Sequence, residues 1–436
     1  MQSYISRLWN NRLFKNILVL MSGTVGAQII GMALIPIITR LYGPETYGGL
    51  GVFIALIGAL TPVASLAYPI AIVLPKSDNT ATVLVRLSTL IAAIFCFLLL
   101  MLLWLSGSWG IEKLGATTLG VYIYLVPVAI FFGAYQTISQ QWLIRKQAFT
   151  GISKVSMLHA IINNGTKALA GLYAPLIGVL ISIHTVAILL RAMLTDYIGK
   201  QIATGKALNG SPQIIKTKLE VAKEYNDFPI FRAPQVLISA LSHSLPVLIL
   251  NTFFGIATAG FYSLARTALD LPAALIGNSV QSVFYPHFNE MVKTDKKTLP
   301  FLLKTTLGLA GVSAIPFLIV LLFAPNLFEF VFGREWHRAG EYAQWMAVWL
   351  FFSLVSRPTI SAVPVYEKQR WFLGFEVFTT IFVLGSIYAG YKFFNDDLVA
   401  IAAYSLARAI TYFILIIKIL LVAKSYDARM SKSMVR

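Results

Sequence analysis

Residues 87–106, LSTLIAAIFCFLLLMLLWLS, form an unbroken run without a single charged side chain. As an α-helix rising about 1.5 Å per residue, a run of this length crosses the roughly 30 Å hydrocarbon core of a bilayer. Its apolar residues are continuous rather than alternating, so it reads as helix and not as a barrel strand. Working outward, comparable runs fall at about 17–39, 47–73, 86–106, 118–142, 155–173, 175–197, 231–252, 256–284, 299–324, 341–364, 371–391 and 398–421. Composition agrees: the 436 residues are 57% hydrophobic and only 12% charged. The expected fold is an all-α polytopic membrane protein with about 12 transmembrane helices in two pseudo-symmetric six-helix lobes.

The net charge of +17 is dispersed among short loops and forms no domain-sized patch, so nucleic acid is not an expected partner. Sorted by loop, 24 of the 35 Lys and Arg fall on the side of the N-terminus, five on the other side and six within the runs. This imbalance places both termini in the cytoplasm. The basic leader (Arg7, Arg12, Lys15) precedes a first run expected to stay as a span rather than be cleaved. Cys96 is the lone cysteine, which excludes an internal disulfide and any Cys-based metal site, and no cofactor is expected. His159, His184 and His243 lie in different runs without metal-ligand spacing and read as packing hydrogen-bonders.

The polar stretch 199–230 divides the chain. The expected organisation is an N-terminal lobe at 1–198, a cytoplasmic linker with an amphipathic helix at 199–230, a C-terminal lobe at 231–423 and a basic tail at 424–436. Apolar spacing at Ile214, Ile215, Leu219 and Ala222 marks that helix. Internal similarity supports a repeat. Pro36, Leu41-Tyr42-Gly43 and Gly48 echo Pro246, Phe253-Phe254-Gly255 and Gly260, and Lys146-Gln147-Ala148-Phe149 echoes Lys368-Gln369-Arg370-Trp371-Phe372.

Six cations lie inside the apolar runs: Lys167, Arg191, Arg232, Arg266, Arg357 and Arg408. Only Asp196, Asp270 and Glu376 oppose them at comparable depth. An Arg at the bilayer centre costs roughly 2.5–3.5 kcal/mol, so such residues face a partner or a cavity. A net-positive interior suits an anionic cargo. On the eighth run, Arg266, Asp270, Gly277 and Gln281 share one helical face. Arg266 would contact a head group while Asp270 tunes it or takes a coupling proton. As an i, i+4 pair the two could equally neutralise one another. Arg408 stands four residues from both Tyr404 and Tyr412, with no acid nearby in sequence. Trp345, Trp349, Ser353 and Arg357 recur at i+4, a spacing that sets two aromatic rings and a cation along one helical face. Arg191 and Arg232 stand nearer the cytoplasmic end, where a long side chain can snorkel to the interface. Gln136 and Gln140 share a face and suit a hydroxyl-rich ligand or an inter-helix hydrogen bond.

The segment Pro36-Ile-Ile-Thr-Arg40-Leu-Tyr-Gly43-Pro44-Glu45-Thr-Tyr47-Gly48 resembles that of the polysaccharide repeat-unit flippases, the Wzx-type O-antigen and capsule transporters. Phe332-Gly333-Arg334-Glu335-Trp336-His-Arg-Ala339-Gly340, with the Lys368-Gln369 turn, is similar to that family's second-half pattern. These transporters share a superfamily (MOP) with the MATE multidrug exporters and the lipid II flippases. The resemblance implies a MATE-like fold and no enzymatic activity. It also implies movement of undecaprenyl-pyrophosphate-linked oligosaccharide across a bacterial inner membrane during lipopolysaccharide or capsule synthesis. Expected partners are that lipid-linked cargo, the bilayer, a polysaccharide polymerase and a chain-length regulator. Lys167, Arg191, Arg266, Arg357 and Arg408 would form its cationic cavity, with Gln136, Gln140, Gln281, Trp345 and Trp349 along the sugar path.

Two other readings compete. A MATE-type exporter of small molecules shares the fold, but its coupling carboxylates have no counterpart here, since the first five runs lack Asp and Glu. A polytopic glycosyltransferase, ligase or polymerase needs an outer loop with an acidic pair. Asp396 and Asp397 in a short loop are the nearest approach, and no nucleophile elbow or P-loop appears.

Overall fold

A computed structural model describes residues 12–113, 117–204 and 216–433. Each expected run falls on helix. In chain order these are α1 (Arg12–Leu41), α2 (Pro44–Leu60), α3 (Tyr68–Ala71), α4 (Asp78–Lys113), α5 (Leu125–Arg145), α6 (Phe149–Gly171), α7 (Ile177–Thr204) and α8 (Lys218–Glu224). The remainder are α9 (Ala233–Phe254), α10 (Ile256–Lys293), α11 (Leu299–Phe332), α12 (His337–Val355), α13 (Arg357–Val365), α14 (Gln369–Phe394) and α15 (Asp397–Ser433). Among the described residues, nine helices are long and apolar enough to cross a membrane. The polar helices α6 and α10, which carry Lys167 and Arg266, are not among the nine.

Three runs read as single helices are broken, the fourth at Gly120 (φ 52°) within a 3-10 segment, Thr117–Tyr124, that precedes α5. The second divides into α2 and α3 across a turn at 61–67, where Leu66 and Ala67 take left-handed φ of 51° and 59°. The tenth divides at Ser356, because Pro358 has no N–H to continue the ladder. The linker differs as well. Ile214 and Ile215 lie outside the described residues, and the short α8 begins with a capping box in which Thr217 and Glu220 bond each other's backbone. Its packed residue is Val221, fully buried against Tyr68, Ile72 and Leu84, while Leu219 is exposed. Residues 424–433 continue α15, where Asp427 accepts the N–H groups of Thr298 (2.8 Å) and Leu299 (3.0 Å) and so caps α11.

The repeat is visible in backbone detail. Gln147 and Glu367 both adopt positive φ, 55° and 57°. Each follows a helix closed by the same pair of bonds: Ala148 N–H to Leu143 O and Gln147 N–H to Ile144 O in one turn, Lys368 N–H to Val363 O and Glu367 N–H to Pro364 O in the other. The equivalence therefore pairs Gln147 with Glu367, two residues away from the Lys-Gln alignment that the sequence invites. Gly43 and Gly255 both cap a helix N-terminus, α2 and α10, but only Gly255 (φ 94°) requires glycine.

Contacts divide the chain into two compact units, Met1–Asn251 and Thr252–Arg436. In the first, α1 lies along α6, and α5 and α6 pack on α7. The boundary falls inside α9 because the start of that helix packs within the first unit. Pro229, Ala233, Pro234 and Leu237 line an apolar hollow of about 520 Å³ with Val63, Ile91 and Phe95. Arg145 ties the end of α5 to the start of α4, bonding Asp78 at 3.0 Å and the carbonyl of Pro75 at 2.6 Å, while Lys146 also pairs with Asp78.

In the second unit, α12 packs against α10, α11 and α15. Asp397, at the start of α15, accepts from Arg338 and Tyr342 of α12, and Arg338 also binds Glu341 at 2.6 Å. The acid weighed above as half of a catalytic pair is thus a structural tie. Trp336 of the 332–340 motif is 1% exposed and meets Phe261 edge-on. Gly340 closes the motif against backbone: a Cβ there would sit 2.4 Å from Pro325 Cα and 2.6 Å from Ala324 O. Gly308 has no atom within 4 Å of the same position. Gly340→Ala should therefore lower stability by about 1–3 kcal/mol. Gly308→Ala should be neutral or stabilising through helix propensity. Thermal unfolding in detergent checks the pair.

Candidate functional site

The cationic side chains of the second unit converge on one aromatic cage. Helical spacing on α15 places Tyr404, Arg408 and Tyr412 on a common face. The Arg408 guanidinium lies 4.8 Å from the Trp349 ring centroid, 5.8 Å from Tyr412 and 5.9 Å from Tyr404. Desolvated cation–π contacts of this kind contribute about 2 kcal/mol. One guanidinium nitrogen donates to Tyr404 Oη at 3.3 Å, and that oxygen accepts in turn from Tyr262 of α10, also at 3.3 Å. Arg266, one turn beyond Tyr262, pairs with Asp270 at 3.0 Å and lies within electrostatic reach of Tyr404.

Arg357 enters from the first turn of α13, just past the break at Ser356. Its side chain runs along α10 where Gly277 leaves room: a Cβ on Gly277 would stand 3.1 Å from Arg357 Nε. Tyr412 feels the charge of both Arg408 and Arg357. Glu376 of α14 is within electrostatic reach of Arg408. Three buried donors have no acceptor: Nε of Arg408, Nε of Arg357 and Nε1 of Trp349. A buried donor without a partner is costly, and an N–H left open in this way can serve an oxygen-rich acceptor.

The structure thus brings Arg266, Asp270, Trp349, Arg357 and Arg408 together. Trp349 stacks on Arg408 rather than on Arg357, its i+8 neighbour. Trp345 and Gln281 are exposed and take no part in the cage. Tyr262 and Glu376 were not read as site residues, because no local spacing ties them to Arg408.

The other predicted residues belong to the first unit. Lys167 of α6 is 4% exposed, and its ammonium stands 3.3 Å from Nδ1 of His184 on α7. Arg191 has its Nε buried without a partner, so this nitrogen does not snorkel. Arg232 is exposed and bonds Gln235 at 2.7 Å. Gln136 donates to Gln140 at 2.7 Å, so these two amides partly satisfy each other. Among the described residues, no cluster of His, Cys, Asp and Glu is placed to hold a metal ion.

A family model described as polysaccharide biosynthesis protein matches residues 37–341. No curated protein matches the sequence. Among solved structures, an inward-facing multidrug resistance MATE family transporter of the MOP superfamily is similar over 95% of this chain and 99% of its own, at TM-score 0.64 and 15% identity. The lipid II flippase MurJ in an inward closed conformation is similar over 95% and 90%, at TM-score 0.69 and 13% identity. The Vibrio cholerae MATE transporter VcmN is similar over 95% and 96%, at TM-score 0.54 and 14% identity. At these identities the likeness is one of fold.

Asp270 is the carboxylate bound to a cage arginine, and its side chain is 43% exposed. Neutralising it by Asp270→Asn should raise affinity for inorganic pyrophosphate a few-fold, a modest gain because solvent screens the pair. Equilibrium binding to the purified protein in low and high salt measures this, and the gain should shrink as salt rises.

Proposed function

The chain belongs to the polysaccharide biosynthesis protein family, and from that premise we propose that it is a flippase for lipid-pyrophosphate-linked oligosaccharide. The cargo would be an undecaprenyl-pyrophosphate repeat unit, moved by alternating access from the inner to the outer leaflet of a bacterial inner membrane, with both termini in the cytoplasm. The observation that carries this reading is the Arg408 cage. Arg408 is held by π faces and a hydroxyl, which leaves its buried Nε–H open. A pyrophosphate diester brings two charges and several acceptor oxygens, and guanidinium groups match them in planar, multiple hydrogen bonds. Aromatic faces beside the cations suit the sugar that follows. The lipid tail has no need to leave the bilayer.

A multidrug exporter is the competing reading, since MATE transporters share the fold. The sign of the site speaks against a cationic drug, because Arg266, Arg357 and Arg408 would repel it. An enzyme is disfavoured too, as the acid pair of the outer loop includes Asp397, which is already bound by Arg338 and Tyr342.

The test is transfer of a lipid-pyrophosphate oligosaccharide across proteoliposomes, read as loss of protection from an added glycosidase. Wild-type protein should expose the glycan. Arg266→Ala and Arg408→Ala should each slow transfer at least tenfold while inserting normally. Wild-type rates in both variants would remove the head-group role, and no transfer by intact protein would favour a small-molecule exporter.

A further inference from the structure

The first unit holds a second group of cationic side chains that the cage does not use. On α6, His159, Asn163 and Lys167 recur every four residues and so share a face. On α7, His184 and Arg191 stand seven apart, again on one face. The two faces meet. Lys167 Nζ is 3.3 Å from His184 Nδ1, and His159 bonds the backbone of Ala187 and lies within electrostatic reach of both Lys167 and Arg191. His184 in turn is within reach of Lys167 and His159.

The surroundings contain little that would neutralise this charge. From the α1–α2 region come the Tyr42 hydroxyl, which donates to the Lys167 carbonyl at 3.0 Å, and the Phe53 ring, edge-on to His184 at 6.3 Å. From α5 comes Tyr135, which interacts with Asp196. Asp196 itself, further along α7, is bound by Lys200 at 2.7 Å. Two polar atoms are left over. Asn163 Oδ1 and Arg191 Nε are buried with no partner, and Asn163 is only 9% exposed.

Nδ1 accepts a hydrogen bond from an ammonium only when that nitrogen carries no proton. The Lys167–His184 contact therefore carries at most one excess proton between its two bases. A second would set two positive charges at hydrogen-bond distance with no carboxylate beside them. An ammonium in this position is stabilised when an anion arrives and is free to release its proton when the anion leaves.

We propose that Lys167, His184, His159 and Arg191 form a second anion subsite, contained within the first unit, whose charge is set by whether the Lys167–His184 pair holds its excess proton. Its ligand class is a phosphate or pyrophosphate diester, and this identification rests on the flippase reading above. The proton balance is simple. In the empty site Nζ gives one proton to water and becomes an amine. On binding, Nζ takes one proton from water and donates to a ligand oxygen, with no covalent bond made or broken. Affinity for the anion is consequently linked to pH.

A short-chain dialkyl diester of pyrophosphate tests this, because its phosphates do not titrate between roughly pH 6 and 9. Binding to the full-length protein in detergent is measured across that range. Wild-type affinity should fall as pH rises, by at most tenfold per pH unit for one linked proton. Proton uptake, read from binding heats in buffers of different ionisation enthalpy, should accompany the fall. Lys167→Arg should bind as tightly at high pH as at low, and Lys167→Gln should bind weakly throughout, so the two flatten the profile from opposite sides. Arg408→Gln, in the other unit, should keep the wild-type slope. A wild-type profile that is flat, or a slope that survives in both Lys167 variants, overturns the subsite while leaving the cage intact. Sulfate binding equal to that of the diester, with the same slope, overturns the diester assignment in favour of a free inorganic anion. Absence of diester binding by folded wild-type protein would instead overturn the flippase reading.

Discussion

A guanidinium in the middle of a bilayer has no water to solvate it, and whatever replaces that water decides what the group can do next. A carboxylate would satisfy the charge and occupy the N–H donors together. In the second unit Arg408 is solvated differently, by the rings of Trp349, Tyr404 and Tyr412 and by one phenol oxygen. The ring quadrupoles stabilise the positive charge without accepting its hydrogen bonds in full. The cation is therefore tolerated in the fold and still has donors to offer. Much of the second unit's architecture follows from this arrangement, because α10, α12 and α15 must all approach closely enough to place Tyr262, Trp349 and Tyr404 around one side chain.

Carboxylates are used elsewhere. Asp397 ties the start of α15 to α12, Asp78 ties the start of α4 to the end of α5, and Asp427 caps α11. These acids sit at helix ends, where they join elements without neutralising the interior. Helices in lipid gain little from apolar burial against one another, so such polar ties and close backbone approaches, as at Gly340, take a larger share of holding the units together.

The contrast between what could and could not be read in the sequence follows one rule. Features confined to a single helix were legible: the apolar runs, the Arg266–Asp270 pair, and Arg408 between its two tyrosines. Their spacing is fixed by 3.6 residues per turn. Pairings across helices were not legible, because they depend on how each helix is rotated about its axis. Trp349 against Arg408 and His184 against Lys167 are of this kind. Pro358 stands within the tenth run, yet a proline does not reveal whether the helix resumes as a continuous span or as a separate short element. Gln136 and Gln140 show what spacing leaves open: their shared face is legible, and the bond between the two amides is not. The repeat was detected in the correct turns but two residues out of register, since side-chain identity suggested one alignment and the left-handed residue fixes another.

Gly277 has a consequence for how such a protein can diversify. Because Arg357 lies along the space where a Cβ would be, the reach of that charge is set by an atom missing from the neighbouring helix. Adding carbons at position 277 displaces the guanidinium while leaving the net charge of the interior unchanged. Selection can thus reposition the charge of Arg357 by acting on side-chain volume at a different helix.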